Sequence, residues 1–393
     1  MVNVLNSWRH VSLSELVSFH KGGTLSKMDL AESGIPCVLY GELYTRYGEV
    51  TNRIHSRCSA VLHELTLSKE EDVLLPSSGE TPEEMAKATC VTIADVGIGG
   101  DIIIARPKPG ASGRFISYQL NHTLVNQVAS IAQGNAIVHL NAGRLASIQT
   151  VAPGEAEQRA IAEVLSGFDE HLANLDELIR KKKAVRDGAL EGLMSRDLRL
   201  DGYNMPWAVR SLDEIAHSRR ETSTGDPMDM DVELENLLPG EGQVVGDTSV
   251  RTAASFIFRP GDVLFGRLRP YLKKYWLATC SGLRSGEIWA LAAKDGIDPR
   301  FLFHLVRTQR FLDAAGKTMG TKMPRADWSL LKTESFEVPE VDEQRAIAEV
   351  LSGMDEEIRL LAEERAKVER LKLGAMDDLL TGRVRLPLEE EAA

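Results

Sequence analysis

Cations and aromatics gather in one stretch of this 393-residue sequence, Arg259-Pro260-Gly261-Asp262-Val263-Leu264-Phe265-Gly266-Arg267-Leu268-Arg269-Pro270-Tyr271-Leu272-Lys273-Lys274-Tyr275. Residues 251–275 carry six basic side chains against one acidic, a local excess that suits an anionic ligand. Arginine forks onto the acceptor edge of guanine in the major groove and lysine serves phosphate, so the chemistry on offer is nucleic-acid contact. A Pro-Gly-Asp turn starts a strand, and alternate strand residues share a face, which sets Arg267 and Arg269 side by side. Lys273 follows them, and a Gly/Lys/Arg loop at 316–325 adds Lys322 and Arg325. Earlier in the chain, Tyr44 and Arg46 sit with Tyr40 and Tyr47 in a loop. Ser77 and Ser78 lie in the turn-rich segment Pro76–Pro82, and Lys108 follows a strand at Asp101–Ala105. These are the candidate DNA contacts. A solvated strand face with flanking loops presents the same residue types, so the choice rests on how they are positioned.

No catalytic constellation accompanies them. Gly97-Ile98-Gly99 lacks the third glycine and the strand–helix setting of a dinucleotide fingerprint. There is no P-loop, no His-Glu-x-x-His and no Gly-x-Ser-x-Gly. The Asn/Asp-Pro-Pro-aromatic tetrapeptide of adenine methyltransferases and the acid-x-Lys triplet of restriction-type nucleases are also missing. His139 and His304 read as ordinary structural residues. Cys37, Cys58, Cys90 and Cys280 lie far apart, without the spacing of a zinc site or a disulfide framework. The expectation is a non-catalytic chain that binds no metal or cofactor itself. No apolar run of 18 residues and no signal-peptide pattern occurs, so it is expected to be cytoplasmic, with no membrane partner. A net charge of −12 works against nucleic acid, but residues 341–393 alone hold 14 acidic against 8 basic side chains. The globular regions are therefore near neutral, and a basic face stays open to them.

Such candidates need elements to hold them, and the sequence supplies a repeated one. Glu157–Gly167 reads EQRAIAEVLSG and recurs letter for letter at Glu343–Gly353, 186 positions later. The same offset pairs Gly134 with Gly320, Pro153 with Pro339, Asp169 with Asp355, and Arg199-Leu200 with Arg385-Leu386. Trp8, Ser12-Leu13 and Glu15 are echoed by Trp207, Ser211-Leu212 and Glu214. Ile161, Leu165, Phe168 and Leu172, like Ile347, Leu351, Met354 and Ile358, recur at spacings of three and four, the apolar seam of a helix lying along another. A rod of about 38 residues spans roughly 57 Å, and Gly382 is a plausible stop for the second. A coiled-coil linker in solvent carries such a seam as well; two matching rods in one chain favour pairing with each other. Asn121–Gln133 and Phe301–Leu312 read as helices in the regions between. The fold class is α+β: two mixed α/β domains separated by two long antiparallel coiled-coil helices, as a pseudo-two-fold internal repeat. The expected boundaries are domain 1 at 1–152, helix 1 at 153–200, domain 2 at 201–338, helix 2 at 339–386 and an acidic tail at 387–393.

From about Trp8 to Leu386 the chain resembles the specificity subunits of type I restriction-modification systems. The resemblance rests on the Pro-x-x-x-Glu-Gln-Arg-x-Ile-Ala-x-Val-Leu opening of each rod (Pro153–Leu165, Pro339–Leu351) and the Leu-Leu-Thr-Gly-x-x-Arg-Leu exit at Leu379–Leu386. It rests also on the Trp-x-x-x-Ser-Leu openings and on Gly-Asp-Val-Leu-Phe-Gly-Arg-Leu-Arg-Pro-Tyr-Leu. The first exit, Met194-Ser195-Arg196-Asp197, departs from the Leu-Thr-Gly form. The resemblance implies two target-recognition domains, each reading half of a bipartite, asymmetric site in double-stranded DNA. It implies that the rods set the gap and dock two modification (methyltransferase) subunits, with Gln158 and Gln344 joining the seam residues in that docking. Restriction subunits complete an ATP-dependent nuclease, and S-adenosylmethionine, ATP and Mg belong to the partners. Base contacts do not transfer within such a family, so the ten DNA candidates stay a chemical inference. A specificity chain without functional partners, a coiled-coil scaffold with no DNA role, and a fused single-chain enzyme are the competing readings; the missing catalytic motifs oppose the last.

Overall fold

The computed structural model describes residues 8–132, 138–223, 228–249, 256–317 and 324–387. Lys322, the Gly134–Gly320 pairing and the Glu389-Glu390-Glu391 tail lie outside the described residues. The chain forms two compact units, residues 1–176 with 364–393, and residues 177–363. Each globule thus includes the stretches of both long helices that pack on it, and the division falls within the helices instead of at their ends.

In the first unit, strand Arg9–Ser12 pairs antiparallel with Gln149–Ala152. Ser12 then turns the chain: its backbone N–H donates to Glu15 Oε1 at 2.8 Å and the pair boxes in the one-turn helix Leu13–Leu16. The main sheet runs Val17–Lys21, Ile102–Pro107, Asp72–Pro76, Thr89–Val91 and Val50–Thr51. Strand Asp72–Pro76 is buried along its whole length, which is why Val73-Leu74-Leu75 reads as a continuous apolar run without alternation. A second sheet of short strands runs Gly97–Ile98, Ile35–Val38, Ser56–Cys58 and Leu30–Ala31. Helix Gly113–Asn121 packs on the main sheet, and Phe115, Ile116 and Tyr118 fill the core with Ile161 and Leu165 of the first long helix and Met376, Leu379 and Leu380 of the second.

The second unit repeats this entrance. Strand Ala208–Ser211 pairs with Ser335–Val338, and Ser211 with Glu214 boxes in Leu212–Ile215. Its main sheet runs Ala216–Ser218, Ile288–Ala293, Val263–Gly266 and Tyr275–Leu277, and a three-stranded sheet runs Met230–Val232, Gly282–Arg284 and Phe256–Phe258. Phe265, Phe301, Phe311 and Phe336 centre the core, joined by Leu190 and Leu193 of the first long helix and Ile347 and Leu351 of the second.

The long helices span Glu155–Ser195, 41 residues, and Val341–Leu379, 39 residues. They run antiparallel in each unit. Asp169 meets Lys372 and Asp176 meets Arg365 in the first, while Arg186 meets Asp355 and Lys182 meets Glu357 in the second. The fold is thus α+β, two mixed units sharing two long antiparallel helices with an internal repeat. Two expected single helices are each divided. Helices Gly113–Asn121 and Val125–Ile131 replace Asn121–Gln133, because the Asn121 side chain donates to Ala88 O at 2.6 Å and the chain turns at His122. Helices Pro299–Leu305 and Gln309–Gly316 replace Phe301–Leu312, because Thr308 accepts from Phe311 N and caps a new helix there.

Candidate nucleic-acid interface

The frame that holds the candidate residues is built twice from matching side chains. Gln158 is fully buried; its Oε1 accepts from Ser112 N at 3.0 Å and its Nε2 donates to Pro153 O at 2.9 Å. Gln344 accepts from Asp298 N at 2.9 Å and donates to Pro339 O at 2.9 Å. Glu157 is bound by Arg385, and Glu343 by Arg199 at 2.9 Å. Ile161, Leu165, Ile347 and Leu351 are buried in the two cores. These six side chains of Gln, Ile and Leu seat each helix on its own globule and turn no surface to another chain. Phe168, Leu172 and Met354 are half-buried and Ile358 is buried.

One turn further along, each helix carries a charged lock. Asp355 accepts from Arg186 and from Arg307, which is itself almost wholly buried. Burial works to raise the Asp355 carboxyl, but hydrogen bonds and charge from Arg307 and Arg186 outweigh it and hold the group below the ordinary carboxylate value. His304, beside Arg307, is pushed down to about 3 by burial and then by that guanidinium, so it stays neutral. At the matching place Asp169 accepts from the Tyr118 hydroxyl and from Lys372. Here burial dominates, Lys372 and Tyr118 offset it only in part, and Asp169 is raised. Arg186 and Lys372 were not among the sequence candidates; the offset of 186 that matches them was the available signal.

In the second unit the structure gathers Arg267, Arg269 and Arg325 around one loop pair. Strand Val263–Gly266 ends before the arginines, so they do not alternate on a strand face as the pattern implied. Instead the segment peels away to pair with the neighbouring loop: Ala326 N donates to Arg267 O and Arg269 N to Pro324 O, each at 2.8 Å. Arg267 is half-buried, with its guanidinium 5.8 Å from the Trp289 ring centre. Arg325 grips Glu287 with two nitrogens at 3.0 Å. Arg269 and Lys273 are exposed, and both adopt left-handed backbone, φ 50° and 54°, on either side of the short turn Pro270–Leu272. Left-handed backbone costs an L-residue with a Cβ roughly 1–2 kcal/mol, and such strain concentrates where a side chain must be presented. Tyr271, between them, is 56% exposed.

In the first unit the candidates separate. Tyr44 and Arg46 lie at the one-turn helix Glu42–Thr45, with Arg46 bonded to Glu42 at 3.2 Å. Burial, then Tyr40, Glu84 and Glu80, raises the Tyr44 hydroxyl, so its surroundings are acidic. Ser78 meets His139 at 3.1 Å, and the Ser77 backbone donates to Asp101 O and accepts from Leu140 N. Lys108 is elsewhere: its ammonium donates to Ser14 O at 2.6 Å, and it lines a depression with Glu71, Arg114, Glu155 and Arg159 at the foot of the first long helix. Among the described residues no cluster of His, Cys, Asp or Glu has the form of a metal site.

Residues 281–370 match the type I restriction modification DNA specificity domain. The chain is 22% identical over 301 residues to the type I restriction enzyme MjaVIII specificity subunit of Methanocaldococcus jannaschii, covering 69% of this chain and 70% of that protein. It is 23% identical over 268 residues to the type I restriction enzyme EcoDI specificity subunit of Escherichia coli, covering 58% of this chain and 60%, under two thirds, of that relative. Its fold resembles the crystal structure of a type I restriction-modification system S subunit from M. genitalium, with TM-score 0.62, 16% identity, and 95% and 96% of the two chains covered. A second solved structure, concerned with complex assembly and conformational transition of the type I R-M system, gives TM-score 0.53 at 14% identity over 96% and 98% of the chains. Among the described residues no helix is long and apolar enough to cross a membrane. Through the matched domain and the two relatives the chain is similar to the specificity subunits of type I restriction-modification systems, and the two solved structures share its fold.

Proposed function

We propose that this chain is the non-catalytic DNA-recognition subunit of a type I restriction-modification complex. Each unit reads one half of a bipartite, asymmetric target in double-stranded DNA, and the long helices set the gap and dock two modification subunits. S-adenosylmethionine acts on those subunits, and ATP and Mg on the restriction subunits that join them. The observation that carries this reading is a duplicated frame bearing two unlike outer parts. Gln158 and Gln344, Glu157 and Glu343, Asp169 and Asp355 repeat their roles, whereas the second sheets differ, four strands ordered one way and three ordered another. One frame with two different outer surfaces serves a ligand made of two different parts. Arg269, Lys273 and Arg325 are the contacts expected from the second unit, and exposure with a fixed backbone favours Arg269 among them.

The test is to make the chain with its modification subunits in cells and to sequence the methylated DNA. A bipartite asymmetric motif is expected. Methylation at a single contiguous motif, or activity that does not depend on this chain, rejects the reading. The isolated chain is expected to turn over no S-adenosylmethionine.

A further inference from the structure

The first unit holds a row of two arginines and a histidine that the candidates above do not include. In Thr51-Asn52-Arg53-Ile54-His55-Ser56-Arg57-Cys58, residues 53, 55 and 57 are exposed while Ile54 and Ser56 are half-buried and Cys58 is buried. The backbone beneath them is fixed. Thr51 Oγ1 bonds both the amide and the carbonyl of Arg53, at 3.1 and 2.9 Å, and His55 N donates to the Tyr47 hydroxyl at 3.0 Å. Strand Ser56–Cys58 is paired on both sides, and Arg57 stands opposite Pro36 and Ala31, short uncharged neighbours that leave it proud of the sheet. Cys58 points the other way, into a cluster with Leu25, Cys37 and Leu39.

These side chains are not spent on ion pairs. Among the described residues no carboxylate lies within 4.0 Å of Arg53, His55 or Arg57, and Arg57 donates only to Gly34 O, at 2.8 Å. Elsewhere in the unit Arg106 is committed to Asp72 and Arg114 to Glu71. The carboxylate under the row, Glu42, is buried and taken up by Leu39 N, Ser56 Oγ and Arg46. Asp29 is bound to Ser26, and exposed Glu32 marks the margin. In a chain of net charge −12, two arginines flanking a histidine, all three without carboxylate partners among the described residues, are a complementary surface for an external anion. Alternate residues of an extended chain are about 6.6 Å apart, close to the roughly 6.8 Å along the helix axis between phosphates two steps apart on one DNA strand.

We propose that Arg53, His55 and Arg57 form a phosphate-binding stripe that grips the backbone of duplex DNA at the half-site of the first unit. The proposal rests on the DNA-recognition reading above. The test uses the full complex with its modification subunits, carrying R53A/R57A, R53A alone or R53K/R57K, and measures binding to target and non-target duplexes across a salt titration. The slope of log K against log salt is expected to fall by about 0.9 per arginine removed, equally on both duplexes, and to recover in the lysine variant. The methylated sequence is expected to stay the same. The single variant R53A keeps the test sound should the double variant unfold, because the Arg53 side chain makes no hydrogen bond among the described residues. An unchanged slope overturns the stripe, as does a changed methylated sequence, which marks base reading, or failure to assemble, which marks a protein contact. If the wild-type complex binds no bipartite target, the parent reading falls and the stripe with it; unchanged slopes in a complex that does bind reject the stripe alone.

Discussion

Arg307 donates twice to Asp355, at 2.5 and 3.0 Å, and Arg186 donates to the same carboxylate from the first long helix. At the matching site Asp169 has one ammonium, Lys372, which it shares with Glu49 at 3.0 Å. The two locks therefore differ in sign of shift although they occupy the same place in the repeat.

Asp355→Asn is expected to destabilise the second unit by roughly 3–5 kcal/mol, because buried Arg307 loses its counter-charge. Asp169→Asn is expected to cost the first unit much less, since burial already penalises its charged form and Lys372 offsets that only in part. Acid separates them further. The folded value of Asp355 lies below its unfolded value, so its contribution is present above the unfolded value and is lost as pH falls through the folded one. Asp169 is raised, so its protonation favours the folded state and its effect on stability improves as pH falls from the folded value to the unfolded one. Calorimetric unfolding of both variants over a pH series reads out the two trends; equal losses contradict this account.

Arg196 closes the first long helix at φ 68°, where the second uses Gly382 at φ 72°. A left-handed L-residue costs roughly 1–2 kcal/mol and a glycine gives back part of that as unfolded-chain entropy. Arg196→Gly is therefore expected to stabilise the chain by roughly 0.5–1 kcal/mol, the Glu337 pair at 4.0 Å being too long and exposed to matter. Gly382→Ala is expected to lose stability, since its Cβ meets the Trp8 ring at 3.2 Å. Denaturant titration of both variants checks the opposite signs.

Arg269 offers a similar separation of stability from function. Arg269→Gly relieves a left-handed residue and is expected to raise the melting temperature while weakening recognition of one half-site by roughly 1–3 kcal/mol. Arg267→Ala is expected to lower the melting temperature, because that guanidinium packs on Trp289. Equal weakening on target and non-target duplexes in a binding assay argues that Arg269 touches phosphate and not a base, and equal loss at both half-sites means that the residue is misplaced.

A fragment of residues 1–200 lacks Met376, Leu379 and Leu380, which belong to the first core. The offset of 186 sets Leu190, Leu193 and Met194 at the matching positions. A second copy can therefore fill the vacancy, and the fragment is expected to dimerise and to recognise an inverted repeat of the first half-site. A well-folded monomer in sedimentation counts against this.

Helix length is the last lever. Four residues inserted near Lys182, or near Val368, add about one turn and roughly 6 Å. With DNA rising about 3.4 Å per base pair, the gap in the methylated motif is expected to widen by one or two pairs while each half keeps its sequence. Two-residue insertions rotate the following stretch by roughly 200° and are expected to abolish binding. An unchanged gap in an active complex means that the partners set the spacing.

The sequence alone determined the repeat, the long helices, the absence of familiar catalytic motifs and the buried strands, because these are local or periodic properties that composition and spacing record. It placed Gly382 at the helix end because glycine, without a Cβ, takes the left-handed backbone there at little cost. It did not foresee that Gln158 and Gln344 are buried with side-chain bonds to the Pro153 and Pro339 carbonyls, partners that only the turn into each helix brings within reach. It also set Arg267 and Arg269 on a strand that ends at Gly266, because the pairing of that segment with residues 324–326 is a long-range contact with no trace in local pattern. Which cations are consumed by carboxylates and which stand ready for a ligand was decided only in three dimensions. Arg106 and Arg57 look alike in the sequence, and it is the fold that brings Asp72 to one and leaves the other facing outward.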